Sequence, residues 1–321
     1  MFFSGIKTRL VAHVGFAKCG SSSLRRFLLD GEARLRDLGC SLGMSWPDCW
    51  TLLRDRGAEL GLPDAGRRPF DASGEVTETA EDAVTRLNGT PHLILSSESF
   101  ASFPDPGRLL RGLERDRTDV FWCLRRQDRV ADRGVAELAL RPEVTLDEAM
   151  RFAEAYLAVP YDELAERWES FPGATVHPFP VPSGADVLPA FSELLGDLSP
   201  GVAVLRENPG LPTDASAFLF EMKSFVPSDS WTRVCDGFRY RLRGLSRRSG
   251  AVTPMDFRAG LLRSARSGNE RLLRRFGFVP GLVGELADGG RQPDRVDGAR
   301  KALFSRAFEA AVGDVEALRE A

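Results

Sequence analysis

The chain is poor in the residues that most often carry metal, redox or nucleic-acid chemistry. In 321 residues it has three histidines, five cysteines and three tyrosines, and lysine occurs only at Lys7, Lys18, Lys223 and Lys301. The cysteines, at 19, 40, 49, 123 and 235, form no CxxC pair and leave an odd thiol. Neither a zinc site nor a disulfide framework is indicated, and a reducing compartment is the simplest setting. No stretch reaches the roughly 18 apolar residues of a spanning helix, so no transmembrane segment is expected. The opening MFFSGIKTRLVAHVG has neither a long apolar run nor a small-residue cleavage site, which argues against a signal peptide and for a cytoplasmic protein. Action on membrane-bound acceptors stays open. Excess positive charge is missing too: 43 Lys and Arg stand against 46 Asp and Glu, a formal net charge of −3, which argues against nucleic acid as a partner.

What is present suits an enzyme-sized globular protein. With 43% hydrophobic residues the chain can bury a large core. Apolar runs at Arg9–Val14, His92–Ser96, Asp119–Leu124 and Ala174–Pro178 read as strands. Helical spacing is read at 24–38, 47–60, 127–140, 145–170 with a break near Pro160, 186–196, 213–224, 253–264, 267–276 and 298–319. Residues 225–245 fit no single pattern. Residues 61–75 read as an exposed loop, and 200–212 and 287–297 as linkers. The alternation predicts an α/β fold, a parallel β-sheet flanked by helices. The expected organisation is a single domain over 1–321, with an α/β nucleotide-binding core at 1–200 and a mostly helical region at 201–321.

The strongest motif is Gly15-Phe-Ala-Lys18-Cys19-Gly20-Ser21-Ser22-Ser23-Leu24, between the first strand and the first helix. Glycines let a backbone turn tightly and approach a ligand. A helix N-terminus offers N–H groups and a favourable dipole to an anion. Serine hydroxyls can bind phosphate oxygens, and Lys18, prominent in a lysine-poor chain, supplies charge. The competing reading is a serine-rich helix cap. A nucleotide-triphosphate loop reads GxxxxGK[ST], whereas here Ser21 follows Gly20 and the lysine precedes it.

The loop instead resembles the 5′-phosphosulfate loop of sulfotransferases that use 3′-phosphoadenosine-5′-phosphosulfate, roughly PKxGTT/S-x-L after a strand. Lys18, Gly20, Ser21, Ser22 and Leu24 match; Cys19 stands where threonine is common and Ala17 where proline is common. Other segments resemble bacterial members of that family in the same order: Leu93–Phe100 with its Ser-Ser-Glu, Val120–Asp128 with Arg125, Tyr161–Trp168 with the strand after it, and more weakly Glu207-Asn208 and Asn269–Gly277. The resemblance implies a P-loop NTPase-like sulfotransferase fold with a helical C-terminal region. It implies a nucleotide site at Lys18, Cys19, Gly20, Ser21, Ser22, Ser23 and Arg125, and transfer to a small-molecule or carbohydrate hydroxyl with no metal. The family pairs its strand-end arginine with a serine eight residues on; here that position is Arg133, which could grip a phosphate as a bidentate donor.

Lys18 is then the group that neutralises charge on the leaving nucleotide, and Glu98, just past an apolar strand, is the candidate general base. A helix cap or an arginine partner is the competing reading of Glu98. His13 could reach the site, but a hydrogen-bonded core histidine is the plainer reading; His92 reads as structural, and His177, at the end of the fourth strand, is assigned no role. Ser96 and Ser97 are acceptor contacts or local hydrogen-bond formers. Arg25 and Arg26 read as a surface pair, with phosphate contact as the lesser alternative, Arg126 or Arg129 as a solvated neighbour of Arg125, and Trp46, Trp50, Trp122 and Trp168 as core. Two alternatives stand beside the transferase: a P-loop nucleotide kinase or NTPase, and a nucleotide-binding protein without catalysis.

Overall fold

A computed structural model describes residues 7–15, 19–43, 46–62, 78–101, 103–181, 186–202, 211–243, 251–277 and 298–320. In chain order the elements are β1 Arg9–Gly15, α1 Ser21–Asp30, α2 Glu32–Asp37, β2 Cys40–Gly43, α3 Trp46–Glu59, α4 Ala80–Leu87, β3 His92–Ser97, α5 Pro106–Leu109 and β4 Arg117–Leu124. Then follow α6 Gln127–Leu138, α7 Leu146–Tyr156, α8 Tyr161–Glu169, β5 Ala174–Pro180, α9 Leu188–Leu195, α10 Thr213–Met222, α11 Ser228–Arg241, α12 Met255–Phe276 and α13 Gly298–Glu320. They form two compact units, one drawing on Met1–Arg125, Val159–Asn208 and Gly268–Gly281, the other on Arg126–Ala158, Pro209–Ser267 and Leu282–Ala321.

The first unit is an α/β layer around one five-stranded sheet of order β2-β3-β1-β4-β5, all parallel. The fold is thus the expected α/β class with helices flanking a parallel sheet. β1 lies at the centre, and Leu10 to Gly15 are all buried, as a strand covered on both faces must be. Each Leu, Val or Phe so buried contributes about 2 kcal/mol. His13 and Gly15 share one face of β1 with Phe121 and Cys123 of β4. On that face Phe121 stacks on Phe179 of β5 at 5.8 Å and meets Phe191 of α9 edge-on at 5.0 Å, while Phe27 of α1 meets Phe191 at 6.5 Å. On the other face Trp122 packs edge-on against Tyr161 of α8 at 5.9 Å.

Several elements differ from the sequence reading. β2 was not expected, because Cys-Ser-Leu-Gly is short and lacks β-branched residues. The helix read over 24–38 breaks at Gly31, which leaves the helical region between α1 and α2 and sits so close to Pro200 that a Cβ would come within 2.3 Å of it. α4 was missed although Thr79 and Asp82 form a capping box at its start. Helix 253–264 and helix 267–276 are one helix, α12: Gly268 is there for space, since a Cβ on it would lie 2.4 Å from Asp162 Oδ1. The loop read at 61–75 and the Glu207-Asn208 echo fall largely or wholly outside the described residues.

The second unit is helical. Phe218 of α10, Trp231 and Phe238 of α11, and Phe304 and Phe308 of α13 form its core. α11 resolves the ambiguity at 225–245, with Trp231, Val234, Cys235 and Phe238 buried on one stripe. Buried Asp132 of α6 accepts the N–H groups of Val252 and Thr253 at 2.7 and 2.9 Å. Among the described residues no helix is long and apolar enough to cross a membrane.

Candidate anion-binding active site

The connection leaving β1 runs to β2 on one side of the sheet, and β4 leads to β5 on the other. The strand order therefore reverses between β1 and β4, and in open α/β sheets ligands bind outside the carboxyl ends of the strands at such a point. Gly15 ends β1 and Arg125 directly follows β4, while Cys19 and Gly20 lead into α1. Phe16, Ala17 and Lys18 lie outside the described residues.

Gly20 occupies the N-cap of α1 in the left-handed conformation, φ 101°, and no side chain caps the helix. A Cβ on Gly20 would fall 2.9 Å from the Val187 methyls, so both backbone and space call for glycine. The serine-cap reading therefore does not describe this helix start. Leu24 N–H donates to Gly20 carbonyl at 3.1 Å, the first bond of the helix, which leaves the N–H groups of Ser21, Ser22 and Ser23 without an acceptor inside it. The first turn carries no acidic residue. Ser22 is exposed, Ser23 half-buried and Ser21 buried.

Ser21 Oγ donates to the Glu98 carboxylate in a close contact. Glu98 is the first residue of a 3-10 turn, Glu98–Phe100, that follows β3, and Phe100 anchors the turn in the core. Ser97 Oγ accepts Ser99 N–H at 3.3 Å and caps that turn. Glu98 is half-buried, so its carboxylate meets both the start of α1 and solvent. Two sequence candidates from segments 77 residues apart, Ser21 and Glu98, are thus brought together.

His13 is fully buried, with Nδ1 2.9 Å from Ser96 Oγ of the neighbouring strand. Burial pulls its pKa down to about 4, so the ring is neutral at pH 7. Arg125 follows β4; its carbonyl accepts the Tyr161 hydroxyl at 2.9 Å, which holds the strand end. Burial pushes the Cys123 thiol far up, nearby Cys19 adds to the rise, and the Arg125 charge opposes it. Cys123 is the register partner of Gly15, so loop and arginine converge on one place. All five cysteines are buried thiols outside any disulfide.

Arg133 is exposed on α6 in the second unit. Arg126 is not a solvated neighbour: its guanidinium lies 2.7 and 2.9 Å from the buried Asp128 carboxylate. Arg26 pairs with Asp30 at 2.8 Å on the surface of α1. Trp122 and Trp168 are core, and the side chains of Trp46 and Trp50 lie outside the described residues.

Sequence reading missed the Asp119 centre. This aspartate, at 0% exposure, accepts Arg9 Nε, Arg117 Nη2 and His177 Nε2, each at 2.8 Å. Burial alone would raise its pKa, yet these hydrogen bonds and the Arg9 charge hold the carboxyl well below the usual range. It ties β1, β4 and β5 at the end of the sheet away from Gly20. An aspartate inside an apolar strand was the available signal, since a buried charge must be paired.

The arrangement offers uncapped helix N–H groups to an anion, a carboxylate beside them to take a proton, and an arginine on the adjoining strand end. Among the described residues no group of three or more His, Cys, Asp or Glu side chains could hold a metal ion. No protein-family model matches the chain, and no curated protein matches it.

Proposed function

We propose that the chain is a sulfotransferase that moves a sulfuryl group from 3′-phosphoadenosine-5′-phosphosulfate to a hydroxyl of a small molecule or carbohydrate. The observation that carries this reading is the contact of Glu98 with Ser21 at an uncapped helix start, on the strand ends where the sheet order reverses. The resemblance of the loop to the phosphosulfate loop supplies the substrate class. The acceptor oxygen forms a bond to sulfur as the bond from sulfur to the nucleotide's 5′-phosphate oxygen breaks. The acceptor proton passes to Glu98, within reach of a ligand at the start of α1. The N–H groups of Ser21 to Ser23 and the Lys18 ammonium stabilise charge growing on the leaving phosphate. Arg125 holds the 3′-phosphate, and Arg133 is assigned to the nucleotide by the resemblance alone.

The test is release of 3′-phosphoadenosine-5′-phosphate from the phosphosulfate donor across a panel of sugar, phenol and alkyl alcohols. Acceptor-dependent release that disappears in Lys18→Ala supports the reading. Tight donor binding with no release on any acceptor class favours a nucleotide-binding protein without catalysis.

A further inference from the structure

Tyr161 is the first residue of α8, entered from Pro160, and it heads the buried stripe Tyr161, Leu164, Ala165 and Trp168. The residue is 1% exposed, and its ring packs edge-on against Trp122 at 5.9 Å. Phenylalanine would serve that packing equally well. A hydroxyl is tolerated in such a place only if it finds a polar partner. Its partner is the Arg125 carbonyl, at 2.9 Å. That carbonyl lies where β4 stops. Leu124, the last residue of the strand, still bonds within the sheet, its carbonyl accepting Val181 N–H at 2.7 Å. Arg125 is one residue further, past the end of the register with β5. The tyrosine hydroxyl therefore takes over at the first peptide that the ladder no longer holds. α8 is a firm base for it, since Trp168 packs against Phe100 at 6.4 Å, ring to ring, in the turn that carries Glu98. A charged side chain on a fixed main chain meets its ligand with little reordering, and a displacement of about 1 Å is enough to cost binding or rate.

We propose that Tyr161 is a positioning residue for the phosphate-binding arginine: its buried hydroxyl fixes the Arg125 main chain one residue past β4, so that the guanidinium is set to receive the nucleotide's 3′-phosphate. Tyr161 itself never touches the ligand, because it is buried. This inference rests on the assignment of Arg125 to the 3′-phosphate made above. It predicts an effect on selectivity for that phosphate, a quantity that a hydroxyl serving stability alone leaves unmoved.

The experiment is calorimetric titration of wild type and Tyr161→Phe with 3′-phosphoadenosine-5′-phosphate and with adenosine 5′-phosphate, which lacks the 3′-phosphate. The wild type is expected to bind the bisphosphate more tightly than the monophosphate. Tyr161→Phe should keep the monophosphate affinity and bind the bisphosphate roughly tenfold more weakly, about one hydrogen bond's worth, so that the ratio of the two affinities falls by that factor. A ratio equal to that of the wild type, whether or not stability falls, overturns the inference and leaves the proposed function standing. A wild type that binds neither nucleotide, or binds both equally, removes the 3′-phosphate reading and the inference with it. If Tyr161→Phe does not fold, fluorine NMR of 3-fluorotyrosine-labelled protein decides. The chain has three tyrosines, so the signal of Tyr161 is the one left when Tyr156 on α7 and Tyr240 on α11 are both replaced by phenylalanine. That signal should move on saturation with the bisphosphate and stay in place with the monophosphate. No movement with the bisphosphate, or equal movement with both, overturns the inference.

Discussion

Replacing Glu98 by glutamine separates its two possible effects, because glutamine keeps a hydrogen bond to Ser21 while removing the charge and the base. Ser21 is the first residue of α1, so a carboxylate against its hydroxyl lies roughly 6 Å from an anion held on the first-turn N–H groups. Two unit charges at that separation repel by about 3 kcal/mol at an effective dielectric of about 20. Glu98 is half-buried, and solvent screening reduces this to about 1 kcal/mol. Glu98→Gln should therefore bind 3′-phosphoadenosine-5′-phosphate roughly fivefold more tightly, and turn over the phosphosulfate donor about 100-fold or more slowly, the usual span for a lost general base. Calorimetry reads the first quantity, and acceptor-dependent nucleotide release the second. Unchanged or weaker binding together with an unchanged rate would show that Glu98 neither faces the anion nor takes the proton.

Asp119→Asn should lower stability by about 3 kcal/mol in denaturant melts, because it leaves Arg9, Arg117 and His177 without their shared buried carboxylate. The wild-type contribution of Asp119 is present at neutral pH and falls as pH drops below the ordinary aspartate value of about 4, since its folded pKa is depressed. His13, with a folded pKa of about 4 against an ordinary 6.5, contributes fully above pH 6.5, and that contribution falls by about 3 kcal/mol between pH 6.5 and 4. Melts of His13→Gln over the same range should lack this component. Gly20→Ala should cost about 2 kcal/mol of stability, from a left-handed backbone and the Val187 contact, and should weaken bisphosphate binding.

The sheet was legible wherever strands are fully buried. β1 and β4 show as continuous apolar runs because parallel strands hide both faces. β2, four residues at the sheet edge, carries no such run, and only pairing with β3 defines it. Helix ends were harder. Gly31 ends a helix, whereas Gly268 sits inside one, and what differs is a tertiary neighbour, Pro200 for the first and Asp162 for the second. At the candidate site the loop glycines and serines announced themselves through spacing. The closeness of Ser21 to Glu98 and the His13–Ser96 bond depend on strand order and register, which local pattern does not encode. The Asp119 centre joins residues from three strands and was hidden for the same reason.

The measurement closest to the central claim is calorimetric titration of the wild type with 3′-phosphoadenosine-5′-phosphate in the absence of magnesium, with ATP as the control. Micromolar binding of the bisphosphate, weaker binding of ATP, and loss of the signal in Arg125→Ala are predicted. Failure to bind the bisphosphate, with ATP binding only when magnesium is added, would contradict the sulfotransferase reading and favour a nucleotide kinase.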